Sequence, residues 1–164
     1  MPTPNVSTLP ADSPVNAWII AFNAQDVPAI VALYAEDAEL FDSGMHRSRR
    51  GRMEIEAWFR LRFRSMPGNV YAPGEPLQVD EQGAVVPWTL YGRGPRLLGQ
   101  GWLSRPFQVD GTSTFTLHAG KIYRQYGRYD HLAVLKQILP VLRYCPAVVA
   151  RWIYSVYLRR HGLW

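Results

Sequence analysis

Cysteine is nearly missing from this chain, and lysine is scarce. Cys145 is the one thiol in 164 residues, and Lys121 and Lys136 are the only lysines among 18 basic side chains. A single thiol closes no intramolecular bridge, so stability has to come from a buried apolar core and not from a disulfide framework. No run of 18 uncharged apolar residues is present to span a bilayer. The N-terminus carries no charged-then-apolar signal segment, and a cytoplasmic location, with membrane association through the tail left open, is the expectation. The four histidines, His46, His118, His131 and His161, lack H-E-x-x-H or any comparable spacing with acids or Cys145, so no metal site is expected. A Gly-rich phosphate loop, a Gly-x-Ser-x-Gly elbow and a dinucleotide fingerprint are all missing, which leaves covalent serine catalysis and nicotinamide chemistry unsupported; no cofactor is expected.

What is present is 48% hydrophobic and 13% aromatic, a composition suited to one α+β domain with a proper core. Residues 1–12, with three prolines and little apolar content, read as a flexible arm. The formal charge of +5 is carried mainly by arginine, with Arg47, Arg49, Arg50, Arg52, Arg60, Arg62 and Arg64 clustered together. Such a run suits phosphates, anionic lipids or an acidic substrate, or else a solvated loop and helix face. Without a helix-turn-helix, zinc or stacking motif beside it, nucleic acid is not an expected partner.

Hydrophobic spacing places the elements. Val15, Trp18, Ile19 and Phe22 form a helical stripe behind a Ser13 N-cap and Pro14 at N1. A second helix is capped by Asp26, with Pro28 in its first turn and Val27, Ile30, Val31, Leu33 and Tyr34 on its apolar face. In the short strand that follows, Ala38, Leu40 and Asp42 alternate with Glu39, Phe41 and Ser43, so a carboxylate shares a face with aliphatic residues. Gly51 opens a third helix in which Ile55, Trp58, Phe59, Arg62 and Phe63 recur, ending at Pro67-Gly68. The period then becomes two, predicting strands over 70–79, 84–92, 102–117 and 121–129, with hairpin loops at 80–83 and 118–121 and a break at Gly92-Arg93-Gly94-Pro95.

The stretch FNAQDVPAIVALYAEDAELFD, and within it N-A-x-D-x-x-x-I-V-x-L-Y-A-x-D-A, resembles the opening of the ketosteroid isomerase and SnoaL-like group of the nuclear transport factor 2-like superfamily. The resemblance resumes in FTLHAGKIYRQYGRYDHL and covers about residues 13–138. It implies an α+β fold: a cone-shaped, bent antiparallel sheet closed by three N-terminal helices, with a deep apolar pocket, here followed by a C-terminal helical extension over 139–164. By that resemblance Asp42 falls where ketosteroid isomerases keep the aspartate that moves the substrate proton. Trp18 stands in place of their oxyanion-hole tyrosine, and Ser113 in place of their protonated aspartate. Limonene epoxide hydrolases share the fold, but their base would fall at Gly127, so that chemistry is not expected by the same route.

With a cavity implied, the alternation turns Ser113, Phe115 and Leu117 inward, joined by Gln125, Gly127 and Tyr129, while Ile122, Arg124, Tyr126 and Arg128 face away. Trp58, Trp88, Ser113, Phe115, Gln125 and Tyr129 are the expected substrate-binding wall. Asp42 is the expected general base, with Trp18 as hydrogen-bond donor and His46 as partner acid. Loss of hydration raises the pKa of a carboxyl among rings and aliphatics, which favours enolisation, with Trp18, Ser113 or Tyr129 stabilising the oxygen charge. The blander readings are that Asp42 caps the turn at 44–46, that His46 is simply exposed, and that Asp130 caps the helix starting near Leu132.

These residues fit a cofactor-independent isomerase or cyclase acting on an apolar, polycyclic or polyketide-like small molecule. A non-catalytic ligand-binding or assembly module of the same fold is the alternative, and dehydratase or epoxide hydrolase chemistry a third. The tail HLAVLKQILPVLRYCPAVVARWIYSVYLRRHGLW is interrupted by Pro140 and Pro146, and its second half is apolar almost all round with only arginines as charges. It would act as a lid, swap onto a homodimer mate, or lie on a membrane surface.

Overall fold

The computed structural model describes residues 9–94 and 105–160. The rest of the expected arm, the start of the expected third strand at Trp102, and the tail beyond Arg160 lie outside the described residues. Three helices come early: α1 (Pro14–Ala24), α2 (Val27–Ala32) and α3 (Gly51–Ser65). Ser13 accepts a hydrogen bond from the Val15 N–H at 3.2 Å, and Asp26 from the Ala29 N–H at 3.0 Å, so both caps act as expected.

The strands are β1 (Tyr34–Asp42), β2 (Arg49–Arg50), β3 (Val70–Pro73), β4 (Gln78–Asp80), β5 (Gly83–Arg93), β6 (Pro106–His118) and β7 (Lys121–Tyr129). They form one sheet in the order β2-β1-β7-β6-β5-β3, with β4 also on β5. The expected antiparallel sheet needs one correction, because β1 and β7 run parallel. Hairpins tie β5 through β7 into antiparallel pairs, but the long path from β1 to β7 leaves the direction of that pairing free.

Two boundaries and one side-chain direction differ from the sequence reading for physical reasons. Helix α2 stops before Tyr34, since Arg52 donates twice to the Tyr34 carbonyl, at 2.9 and 2.7 Å, and the Ile122 N–H takes the Leu33 carbonyl at 2.9 Å. The chain therefore enters the sheet four residues earlier than the alternation suggested, and Tyr34 is fully buried. The expected strand over 70–79 splits into β3 and β4, because Pro73 and Pro76 interrupt the donors a continuous ladder needs. A bulge at Tyr123, where Thr116 pairs with Arg124 but Leu117 with Ile122, turns Ile122 inward; it is buried, not outward-facing.

The core lies between the concave face of the sheet and helices α1 and α3. Trp18 stacks on Phe22 with centroids 5.1 Å apart and meets Tyr71 and Phe115 edge-on at 5.4 Å; Phe22 meets Phe63 at 5.2 Å. Asn23 pins α1 to β3 through reciprocal bonds with the Tyr71 backbone at 2.9 and 2.8 Å.

After β7, Asp130 caps α4 (His131–Ile138) by accepting from the Ala133 N–H at 3.0 Å, as the blander reading held. A single 3-10 turn (Pro140–Arg143) leads into α5 (Ala147–Arg160). Gln137 anchors α4 to the Gln108 backbone of β6 at 3.0 and 2.8 Å. Leu142 and Ala150 are buried, and the Tyr154 hydroxyl donates to the Gly44 carbonyl, so one face of the tail folds onto the domain itself.

Candidate active site

The end of β1 delivers Asp42 to the inside of the cone. Gly127 sits beside it on β7, and a Cβ added there would lie 3.1 Å from the Asp42 Cβ. The absence of a side chain at Gly127 is what leaves the carboxylate its place. Asp42 Oδ1 accepts from the Gly44 N–H at 2.8 Å, so the aspartate does cap its turn, as the blander reading held, while it also lines the cavity. Its other oxygen faces Arg62 of α3, with Nη1 at 3.3 Å. The two side chains are only 11% and 12% exposed, so this is a buried ion pair. The Tyr129 hydroxyl lies within hydrogen-bonding reach of both partners.

Burial pushes the Asp42 carboxyl above its ordinary value; Arg62, the Gly44 N–H and Tyr129 pull the other way without cancelling it. Burial likewise works against charge on Arg62, but Tyr129 and Asp42 outweigh it and hold the guanidinium above its usual range. The phenol of Tyr129 is raised, first by burial and then by the Asp42 charge, and stays protonated. Arg62 Nε is buried and has no hydrogen-bond partner. An unmet buried donor costs about 1–3 kcal/mol.

A second polar chain runs behind the cavity wall. Trp18 Nε1–H donates to the Tyr34 hydroxyl at 3.0 Å, and that hydroxyl donates to Gln125 Oε1. Trp88 Nε1–H donates to Ser113 Oγ at 2.9 Å. The indole donors of Trp18 and Trp88 are thus engaged by the protein.

The cavity has a volume of about 40 Å³. That is room for on the order of three waters, at roughly 10–15 Å³ each. Its rings nearly fill the hollow, so a larger guest enters only if they swing apart.

The structure brings together most of the expected site. Asp42, Trp18, Trp58, Trp88, Ser113, Gln125 and Tyr129 all line the cavity. Phe115 does not; it backs the wall by packing on Trp18. His46 is exposed and outside the lining, because the turn that aims Asp42 inward sends the loop outward. Trp18 is in place but gives its N–H to Tyr34, which the early start of β1 carries into the interior.

Sequence reasoning missed Arg62, Tyr34 and Tyr71. Arg62 had a signal: it lies four residues after Trp58 and three after Phe59, on the helix face that points inward. The arginine run divides instead of forming one basic surface. Arg47 pairs with Glu54 at 2.8 Å and Arg60 with Glu56 at 2.6 Å; Arg52 pairs with Glu36, and Arg49 is buried over Trp58. Among the described residues no group of three or more His, Cys, Asp or Glu side chains could hold a metal ion.

Residues 15–125 match the family model of the SnoaL-like domain. No curated protein matches the chain. A polyketide cyclase candidate from Sinorhizobium meliloti is 26% identical with a TM-score of 0.55, covering 73% of this chain and 94% of its own. One from Pseudomonas putida is 23% identical with a TM-score of 0.63, covering 79% and 98%. A protein of ketosteroid isomerase-like fold from Catenulispora acidiphila, in complex with trimethylamine, is 18% identical with a TM-score of 0.64, covering 83% and 93%.

Proposed function

We propose that this chain, which belongs to the SnoaL-like domain family, is a cofactor-independent isomerase or cyclase that moves a proton on an apolar carbonyl compound held in the cone. The observation that carries the reading is a buried Asp42 held 3.3 Å from the Arg62 guanidinium in the wall of a ring-lined cavity, where burial raises its pKa. Asp42 removes a proton from the carbon next to the carbonyl. Negative charge then grows on the carbonyl oxygen, where Arg62, with Tyr129 as a second donor, is the electrostatic stabiliser. The carboxyl returns the proton at another carbon, or the enolate carbon adds to a second carbonyl of the same guest, opening its C=O π bond, and the carboxyl gives its proton to the alkoxide so formed. Trp18 and Gln125, held from behind by Tyr34, form part of the wall against which the apolar body of the guest rests.

The test is turnover, and α-proton exchange in deuterated water, over a panel of enones and β-dicarbonyl compounds. Asp42→Asn should lower both about 10²-fold or more, the usual worth of a positioned general base. An unchanged rate would remove Asp42 from the mechanism.

The narrowness of the cavity and the engagement of the Trp18 and Trp88 indole donors favour a second reading, a non-catalytic ligand-binding module of the same fold. It predicts that panel members bind without any proton exchange, and bind equally well to Asp42→Asn.

A further inference from the structure

Helix α5 has one face on the domain and another in solvent. Tyr144 just before it, then Val148, Trp152 and Val156 at four-residue spacing, are 91%, 70%, 66% and 43% exposed. Successive i, i+4 positions make one continuous stripe along the helix. Exposed arginines border it: Arg143, Arg151 and Arg160, with Arg159 at the C-terminal end. From His131 to the end of the chain there is no aspartate or glutamate, although this stretch carries Lys136 and four arginines.

Charge decides what this face fits. A second copy laid on it about a two-fold axis brings arginines to arginines with no acid between them, which disfavours self-association there. An anionic surface pairs with every cation. The length of the helix points the same way: 14 residues rise about 21 Å, less than the roughly 30 Å of a bilayer core, and no helix among the described residues is long and apolar enough to cross a membrane. A helix of this kind lies flat, with its apolar stripe at the acyl boundary, tryptophan at headgroup level and arginines reaching phosphates.

We propose that the outer face of α5 docks the protein on a bilayer surface bearing anionic lipid headgroups. Trp152 anchors it, Val148 and Val156 enter the boundary region, and Arg151 and Arg160 hold phosphates on either side. On the inner face of the same helix Tyr154 bonds the Gly44 carbonyl, in the turn that holds Asp42, so the docked helix is joined to the site wall.

The test is co-sedimentation of the full chain with vesicles of phosphatidylcholine alone, and of phosphatidylcholine with about one lipid in three replaced by phosphatidylglycerol. Binding is expected to the anionic vesicles only, to weaken as salt rises, to fall about fivefold with each of Arg151→Gln and Arg160→Gln, and to be lost in Trp152→Asp. All three substituted side chains are exposed, and circular dichroism checks that each variant is folded. Equal binding to both vesicle types, or undiminished binding by any of the variants, would overturn the proposal. So would a drop in oligomer mass in Trp152→Asp without lipid, which would make the face a contact between protein chains. None of these readouts depends on catalysis, so the proposal stands or falls apart from the enzymatic reading.

Discussion

Replacing Arg62 by methionine should destabilise the protein by an amount that depends on pH. The substitution keeps an apolar side chain over Phe22, whose ring lies 5.7 Å from the guanidinium carbon, but strands Asp42 as a buried carboxylate without its counter-charge. Breaking a buried pair from one side typically costs about 3–5 kcal/mol. Here the cost has a ceiling, because Asp42 can escape by taking up a proton. Relative to an unfolded carboxyl of pKa about 3.9, that costs roughly 1.4 kcal/mol per pH unit, hence about 4 kcal/mol at pH 7 but only about 1.5 kcal/mol at pH 5.

The sign follows from linkage. A carboxyl whose folded pKa is raised stabilises the fold fully below its unfolded pKa, and that contribution is lost as pH rises through the folded value. Wild type already has this sign at Asp42, where burial outweighs Arg62; Arg62→Met widens the window upward. Urea melts of both proteins at pH 5 and pH 7 read the difference directly. The double variant Asp42→Asn/Arg62→Met should recover most of the loss and flatten the pH dependence. A destabilisation that is equal at the two pH values, or under about 1 kcal/mol at both, would refute the idea that Asp42 and Arg62 form a water-poor pair.

Two further substitutions probe the turn that holds Asp42. Gly127→Ala places a methyl group 3.1 Å from the Asp42 Cβ, so it should cost about 1–3 kcal/mol by overpacking and lower Tm by several degrees; an unchanged Tm would mean the β1·β7 contact is looser than described. Tyr154→Phe removes the hydroxyl that donates to the Gly44 carbonyl and should cost about 0.5–1.5 kcal/mol, with faster amide exchange in the turn at 43–45; unaltered exchange would detach α5 from the site.

Much of the fold was readable because its signals are local. Ser13, Asp26 and Asp130 cap the helices they were expected to cap, and strand β7 has the expected limits. What failed was decided at a distance. The early end of α2 depends on Arg52 and Ile122 reaching the backbone at 33–34, and the inward turn of Ile122 on a one-residue bulge against β6. No window of sequence around Tyr34 or Ile122 contains those partners, so periodicity alone assigned both to the wrong place.

The site divides along the same line. Which side chains line the cavity follows from alternation on β1, β5, β6 and β7 and from helical spacing on α1 and α3, and seven of the nine expected residues do line it. What those residues are bonded to does not follow, because hydrogen bonds are settled across the cavity. Trp18 was expected to serve a guest, yet its donor is taken by Tyr34, a residue assigned to a different element. Arg62 was counted with six other arginines as one charge run, although five of those neighbours find a glutamate or a tryptophan ring and Arg62 alone is carried inward to the carboxylate. A charged residue on the apolar face of a helix is costly unless a partner awaits it. That cost was visible in the spacing of Trp58, Phe59 and Arg62, and together with a lone aspartate on the apolar face of β1 it amounted to two halves of one buried pair.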